Sequence, residues 1–301
     1  MEYHKPVLLE EAVNGLQVNG QGIYVDLTFG GGGHAFEILK RITTGRLVAF
    51  DQDPDAMVNE LADERFLFIA SNFRYLKNSL KYHNITQVDG ILADLGISSH
   101  QIDSPERGFS IRFDSALDMR MHKSGKKSAA SVINEYDEQQ LAQVFKNYGD
   151  IPNARQLAKH IVKTRTETPI QSTEQLKAVA APFFRKEKEA QEMARLFQSI
   201  RIEVNDEMGA LKDLLEQSSE VLAPGGRLVV ISYHSLEDRL VKNYIRTGNV
   251  EGNLQKDFYG NVKGRKYVAI NKKPIVPGAA EIKLNPRARS AKMRIAEKMQ
   301  A

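Results

Sequence analysis

Residues Gly22-Ile23-Tyr24-Val25-Asp26-Leu27-Thr28-Phe29-Gly30-Gly31-Gly32-Gly33-His34 hold the pattern that decides the fold. A short apolar run ends in an acid, and four successive glycines follow before a helical stretch opens at Ala35. A run this short, bounded by glycine, reads as a buried strand. Consecutive glycines let the backbone turn tightly and approach a ligand closely, with amide groups at a helix start directed toward it. The spacing is not G-x-G-x-x-G, and no Lys-Ser/Thr pair follows as in a P-loop. Such a junction serves dinucleotide, phosphate and nucleoside sites alike, so the surrounding strands must decide.

Three more runs repeat the strand pattern: Gly45–Phe50, Phe66–Ala70 and Val88–Leu95. Helical stretches such as Ala35–Ile42 and Asp55–Leu61 lie between them, the latter just after Pro54. Strand and helix in alternation imply right-handed crossovers and a parallel sheet covered on both faces. Ligands in such sheets sit beyond the carboxyl ends of the strands. From Arg107 the strand signal disappears. Ser128–Tyr148 predicts one helix with Val132, Leu141, Val144 and Phe145 as its apolar stripe. Asn153 is expected to cap a helix through Ile161 and Val162, and Ser172 with Gln175 to form a capping box. Gln191–Leu222 predicts a long helix or a broken pair, stopped by Pro224-Gly225-Gly226. Strands return at Arg227–Ser232 and Tyr267–Asn271, and the tail from Gly248 predicts loops and a final strand. The expected architecture is α/β: one domain over residues 1–106 and 206–301, interrupted by an all-helical insertion over 107–205.

The chain has 301 residues, 42 basic and 38 acidic side chains, and no Cys or Trp. Without cysteine there is no disulfide, thiolate metal site or cysteine nucleophile. Met1–Val13 carries three acids and no basic region before an apolar one, which predicts no secretory signal. No apolar run reaches the roughly 18 residues of a membrane span. A cytoplasmic protein is expected. The net charge of +4 hides an asymmetry: residues 1–106 hold 8 basic and 15 acidic side chains, 107–205 hold 17 and 12, and 206–301 hold 17 and 11. That distribution points to a polyanion met by the second two-thirds of the chain.

Four polar groupings follow the strands. Asp51 ends the second strand 18 residues after Gly33, where an acid can accept both hydroxyl protons of a ribose. Neighbouring Asp53 reads as a helix-start charge. Ser71-Asn72-Phe73 follows the third strand and offers a ring to flank an adenine, or simply a core residue. Ala93-Asp94-Leu95-Gly96-Ile97-Ser98-Ser99-His100-Gln101 follows the fourth, placing a carboxylate, hydroxyls and an amide where a reacting group would lie. Ser232-Tyr233-His234-Ser235-Leu236-Glu237-Asp238-Arg239 either lines the same crevice or caps the next helix through Ser235 and Asp238. The seven His are scattered, with no H-x-x-x-H pair, so no metal site is expected.

Taken together, the chain resembles the bacterial 16S rRNA cytosine-N4 methyltransferase family. The strings that carry this are His4-Lys5-Pro6-Val7-Leu8-Leu9, Thr28 to His34, Asp94-Leu95-Gly96-Ile97-Ser98-Ser99, Arg107-Gly108-Phe109-Ser110 and Leu117-Asp118-Met119-Arg120-Met121. Phe197-Gln198-Ser199-Ile200-Arg201-Ile202, His234 to Arg239 and Asn285-Pro286-Arg287-Ala288-Arg289-Ser290 continue it, in the family's order. Leu27, Gly31 and His100 depart from the family's usual Gly, Arg or Ala, and Pro. The resemblance implies a Rossmann-like methyltransferase fold with a helical insertion that recognises RNA. It also implies S-adenosyl-L-methionine as cofactor and 16S rRNA as partner, within the small ribosomal subunit, with a homodimer as a further option. It places Gly32, Gly33, His34, Asp51, Phe73, Asp94 and Gln101 at cofactor-contacting positions. A cytosine N4 is a poor nucleophile because its lone pair is delocalised into the ring. Acceptors for its protons are therefore expected from Asp94, the Leu95 and Gly96 carbonyls and Ser98. Tyr233 or His234 is expected to hold the base, and Arg287, Arg289 and Lys292 the flanking phosphates. A nicotinamide-dependent oxidoreductase and a non-catalytic RNA-binding module are the alternatives.

Overall fold

Tyr24, Leu47 and Leu92 are buried in one apolar cluster, while Val25, Val48 and Ile91 are buried in another. Alternation along each run thus fills both faces of a sheet, as a doubly covered parallel sheet requires. In the computed structural model, which describes residues 6–260 and 262–300, the strands are β1 (Ile23–Asp26), β2 (Arg46–Asp51), β3 (Phe66–Ala70), β4 (Val88–Asp94), β5 (Leu222–Ser232), β6 (Tyr267–Ala269) and β7 (Lys292–Lys298). His4 and Lys5 lie outside the described residues. The order across the sheet is β3-β2-β1-β4-β5-β7-β6.

β1 to β5 pair in parallel, as expected. The far edge corrects that expectation. β7 lies antiparallel between β5 and β6, with Lys292 opposite Ser232. The chain reaches β7 through the turn Pro286–Ser290 at the carboxyl end of β5, so it can only run back. Pro224-Gly225-Gly226 does not precede a strand. Pairing with β4 jumps from Leu222 to Arg227, and the stop signal bulges out within β5, with Gly225 at φ 81°.

The chain divides into two compact units, residues 1–96 with 208–301, and 97–207. The expected junction at residue 106 falls ten residues too late, because Ser98 already caps a helix, Ser99–Asp103, in the second unit. This shift changes the charge reading. Bounded this way the second unit holds 17 basic and 16 acidic side chains, whereas 208–301 holds 17 and 9. The basic surplus belongs to the tail segment of the first unit.

The second unit packs one apolar core from Phe109 to Ile200. The helix expected over Ser128–Tyr148 is two, Ala129–Glu135 and Glu138–Gly149. Tyr136 is extended, and Asp137 caps the second with Gln140. Asn153 makes no cap bond for Ala154–Glu167; its amide reaches the Phe183 carbonyl at 3.4 Å. Ser172 and Gln175 do form a capping box. Asp206, at φ 48°, breaks the following stretch into Glu189–Asn205 and Glu207–Val221. Among the described residues, no helix is long and apolar enough to cross a membrane.

Candidate active site at the carboxyl ends of the strands

The glycine loop is held from three sides. Phe29 continues the sheet by donating to the Phe50 carbonyl, and its ring packs 5.5 and 5.4 Å from Phe66 and Phe68. The Gly30 amide donates to Asp51 Oδ2 at 2.8 Å, and Asn59 Nδ2 donates to the Gly30 carbonyl at 2.9 Å. Gly32 caps the helix Gly33–Arg41 at φ 76°, a left-handed conformation that favours glycine. A side chain at Gly33 would strike Pro6, since its Cβ would lie 2.2 Å from the proline Cγ. Asp51 therefore fastens the loop with one oxygen, while Oδ1 accepts from the Asp53 amide at 2.8 Å. Asp53 caps the turn Pro54–Asn59, as its position suggested.

Three carboxylates end adjacent strands: Asp26 on β1, Asp51 on β2 and Asp94 on β4. Asp26 is 1% exposed; Oδ1 accepts from the Thr28 amide, and Oδ2 has no hydrogen-bond partner. Burial pushes its carboxyl up to about 7; the Thr28 amide opposes this and the Asp51 charge adds to it. Burial likewise lifts Asp51 to about 6 against the Asp53 and Gly30 amides. Asp94, whose side chain keeps a fifth of its surface in water, is lifted to about 7, mainly by burial and further by the charges of Asp26 and Glu237. Among the described residues no Lys or Arg pairs with any of the three. Asp26 ends its strand as Asp51 and Asp94 do, and joins the candidate site through burial that the sequence does not display.

Around Asp94 the predicted residues converge. Its amide donates to Thr28 Oγ1 at 2.7 Å, and the Tyr233 hydroxyl donates to its Oδ1 at 2.8 Å. Burial, then the Asp94 charge, raise the Tyr233 hydroxyl pKa, so Tyr233 stays a donor. His34 Nδ1 lies 3.9 Å from Asp94 Oδ2, while Nε2 donates to the Val7 carbonyl at 3.1 Å. Burial lowers the ring to about 4, so His34 is neutral and does not compensate the acids. Phe73 opens the turn after β3, where Asn72 caps it, and packs partly buried against the core.

His234 corrects its reading. Its ring, not Ser235 with Asp238, caps the helix Ser235–Thr247: Nδ1 accepts from the Glu237 amide, and Glu237 Oε2 accepts from the Tyr233 amide at 2.8 Å. An extended backbone at residue 234 and an acid three positions on make the box, and histidine supplies the acceptor. Ser98 and Gln101 belong to the second unit. There they cap each other, Gln101 amide to Ser98 Oγ and Ser98 amide to Gln101 Oε1.

Carboxylates held without a counter-cation at strand ends, beside a glycine loop, describe a site for a positively charged nucleoside ligand. Residues 1–299 match the MraW methylase family. The chain belongs to that family. As a member of the MraW methylase family it is a methyltransferase with a Rossmann-like fold, and the oxidoreductase and non-catalytic alternatives are excluded. Ribosomal RNA small subunit methyltransferase H of Bacteroides thetaiotaomicron is 54% identical over 299 residues, covering 99% of this chain and 98% of its own. That of Flavobacterium johnsoniae is 55% identical over 300 residues, covering 99% of each. A solved rRNA methylase from Streptococcus thermophilus overlays with a TM-score of 0.44 at 12% identity, covering 100% of this chain and 99% of that one, too loosely to bear on function.

Proposed function

We propose that this member of the MraW methylase family methylates the exocyclic N4 of a cytosine in 16S rRNA, within the small ribosomal subunit, with S-adenosyl-L-methionine as donor, in the cytoplasm. The near-full-length identity to enzymes named for small-subunit rRNA carries the substrate. The uncompensated carboxylates fit the cofactor, because its sulfonium and ammonium groups are cations. When bound, S-adenosyl-L-methionine supplies an electrophilic methyl carbon. Asp51 would take the ribose hydroxyls, Gly32 and Gly33 would let the backbone approach, His34 would stand beside Asp94 as a neutral ring, and Phe73 would flank the adenine. Asp26, with its unpartnered oxygen, faces the cationic end.

Little covalent work is asked of the chain; positioning and electrostatics dominate. As the N4–carbon bond forms and the carbon–sulfur bond breaks, N4 must lose a proton. Asp94 accepts it, since a carboxyl with a pKa of about 7 is matched to neutral conditions. Tyr233 holds Asp94 in place through its hydroxyl. His234 acts through the turn that presents Tyr233. Arg287, Arg289 and Lys292, which lead into β7 opposite Ser232, bind phosphates beside the splayed base. Incubation with methyl-labelled S-adenosyl-L-methionine and small ribosomal subunits, followed by nucleoside mapping, should place the label on a cytosine N4. Label on no RNA overturns the reading. Sedimentation of the same preparation checks the homodimer.

A further inference from the structure

The α/β unit carries a second concentration of unusual side chains, in the loop before β6. Lys256 bridges Val262, and the Lys263 amide donates to the Gln255 carbonyl at 2.8 Å, closing a narrow turn. Phe258 and Tyr259 stand at its tip, 98% and 86% exposed, with ring centroids 5.8 Å apart in an edge-on pair. Asp257 is the single acid among residues 252–280, against six basic residues. It is used in the turn, accepting from the Tyr259 amide on Oδ1 and from the Gly260 amide on its carbonyl. Lys256, Lys263 and Lys266 are exposed. The positive field reaches β7, where burial and the Lys266 charge hold the Lys298 ammonium below its usual range.

Adjacent aromatic rings left in water forgo the burial that normally retains such side chains. With exposed lysines on the same turn, they match one chemistry: rings for bases, ammonium groups for phosphates. We propose that residues Lys256–Gly260 and Val262–Lys266 form an RNA-docking finger, which stacks unpaired bases of the substrate on Phe258 and Tyr259 and holds phosphates on Lys256, Lys263 and Lys266. This rests on the RNA substrate proposed above and adds where that RNA is gripped. Tyr267 pairs with Lys298, and Glu297 with Arg227, so the finger leads into the sheet at the level of Arg227, where β5 begins to pair with β7. Asp94 and Tyr233 stand at the opposite end. The span from Arg227 to Ser232 separates the two levels by about 17 Å along the strand. The finger therefore holds RNA away from the target cytosine, and a fragment limited to the target's immediate neighbours does not engage it.

The test compares wild type with two exposed-surface variants, Phe258→Ala with Tyr259→Ala, and Lys256→Gln with Lys263→Gln. Binding is measured by fluorescence anisotropy on a long rRNA fragment and on a short one. The ring variant should bind the long fragment about ten-fold or more weakly, and the short fragment unchanged. The lysine variant should bind the long fragment more weakly with a shallower salt dependence. Bromouridine-substituted RNA should photo-cross-link to the peptide spanning these residues, and calorimetric affinity for S-adenosyl-L-methionine should stay at the wild-type value. Unchanged long-fragment binding by the ring variant, or cross-links confined elsewhere, overturns the finger while leaving RNA methylation standing. Lost self-association or lost binding to anionic vesicles, with RNA affinity intact, assigns the loop to a second copy or a membrane and equally overturns it. Wild type that neither binds nor methylates RNA removes both proposals.

Discussion

The helical unit and the strand ends of the α/β unit treat polar groups in opposite ways. In the helical unit, Ser98 with Gln101, Ser128 with Ser131, Asp137 with Gln140, and Ser172 with Gln175 close reciprocal capping boxes. Its core is apolar, and the Ser115 hydroxyl is its one buried side-chain polar atom without a partner among the described residues. At the strand ends, Asp26, Asp51 and Asp94 are crowded together with raised pKa values, and one carboxylate oxygen is orphaned. The helical unit satisfies its polar groups locally, the Ser115 hydroxyl apart. The strand ends of the α/β unit leave negative charge for a cation to compensate. Local satisfaction marks scaffold, and uncompensated charge marks the place where a ligand's binding energy is collected.

The contrast can be broken at its strongest point by Asp94→Asn. This removes the proton acceptor while keeping shape, and turnover with saturating cofactor should fall about 10²–10⁴-fold. Wild-type kcat/KM for the cofactor, which reports the free enzyme, should rise with pH through about 7 as Asp94 ionises, and the variant should lose that rise. A variant with near-normal turnover in a methyl-transfer assay removes Asp94 from the chemistry.

Next in size are the cofactor-facing acids. Asp51→Ala should weaken S-adenosyl-L-methionine binding by about 1–3 kcal/mol, since it unfastens Gly30 as well as removing a ribose acceptor. Asp26→Asn should weaken it too, yet raise the melting temperature of the ligand-free protein. Calorimetry and thermal melts of one preparation check both signs; a variant that loses affinity and stability together indicates a scaffold role.

A carboxyl whose folded pKa exceeds its unfolded value binds more protons when folded. Its contribution to stability is full at low pH and is lost as pH rises through the folded pKa. Asp26, Asp51 and Asp94 should therefore make the ligand-free protein melt lower as pH rises from about 5 to about 8. Bound cofactor should flatten that slope. An identical slope with and without cofactor contradicts the cationic site.

The smallest effect sharpens the other side of the contrast. Ser172→Ala should lower stability by about 0.5–2 kcal/mol, the usual cost of a lost cap, with cofactor affinity unchanged. Chemical denaturation and calorimetry decide it.

Much of this was legible because it is local. Short apolar runs marked β1 to β4, three of them with glycine at one end, and an acid closing a strand marked Asp51 and Asp94. Ser172 and Gln175 were readable because a capping box is a spacing. What was missed depends on the third dimension. Tyr136 and Asp137 split a stretch whose apolar stripe runs through the break, so periodicity alone joined them. His234 was read as a ligand-facing ring because histidine is rarely a cap, and its acceptor role emerges only beside the Glu237 amide. That Asp26 closes its strand is plain in the sequence, but its unpartnered oxygen is a property of packing. β7 was expected as a strand, but its direction is set by where the Pro286–Ser290 turn delivers it.

That last strand in chain order is threaded between two made earlier, β5 and β6. While the chain is being synthesised, β5 has one bare flank, and β6 has no neighbour to pair with. β5 and β6 join in one sheet only through β7, which lies antiparallel to both. Lys292–Lys298 is thus the piece that ties β6, and the loop before it, to the strands that carry the site.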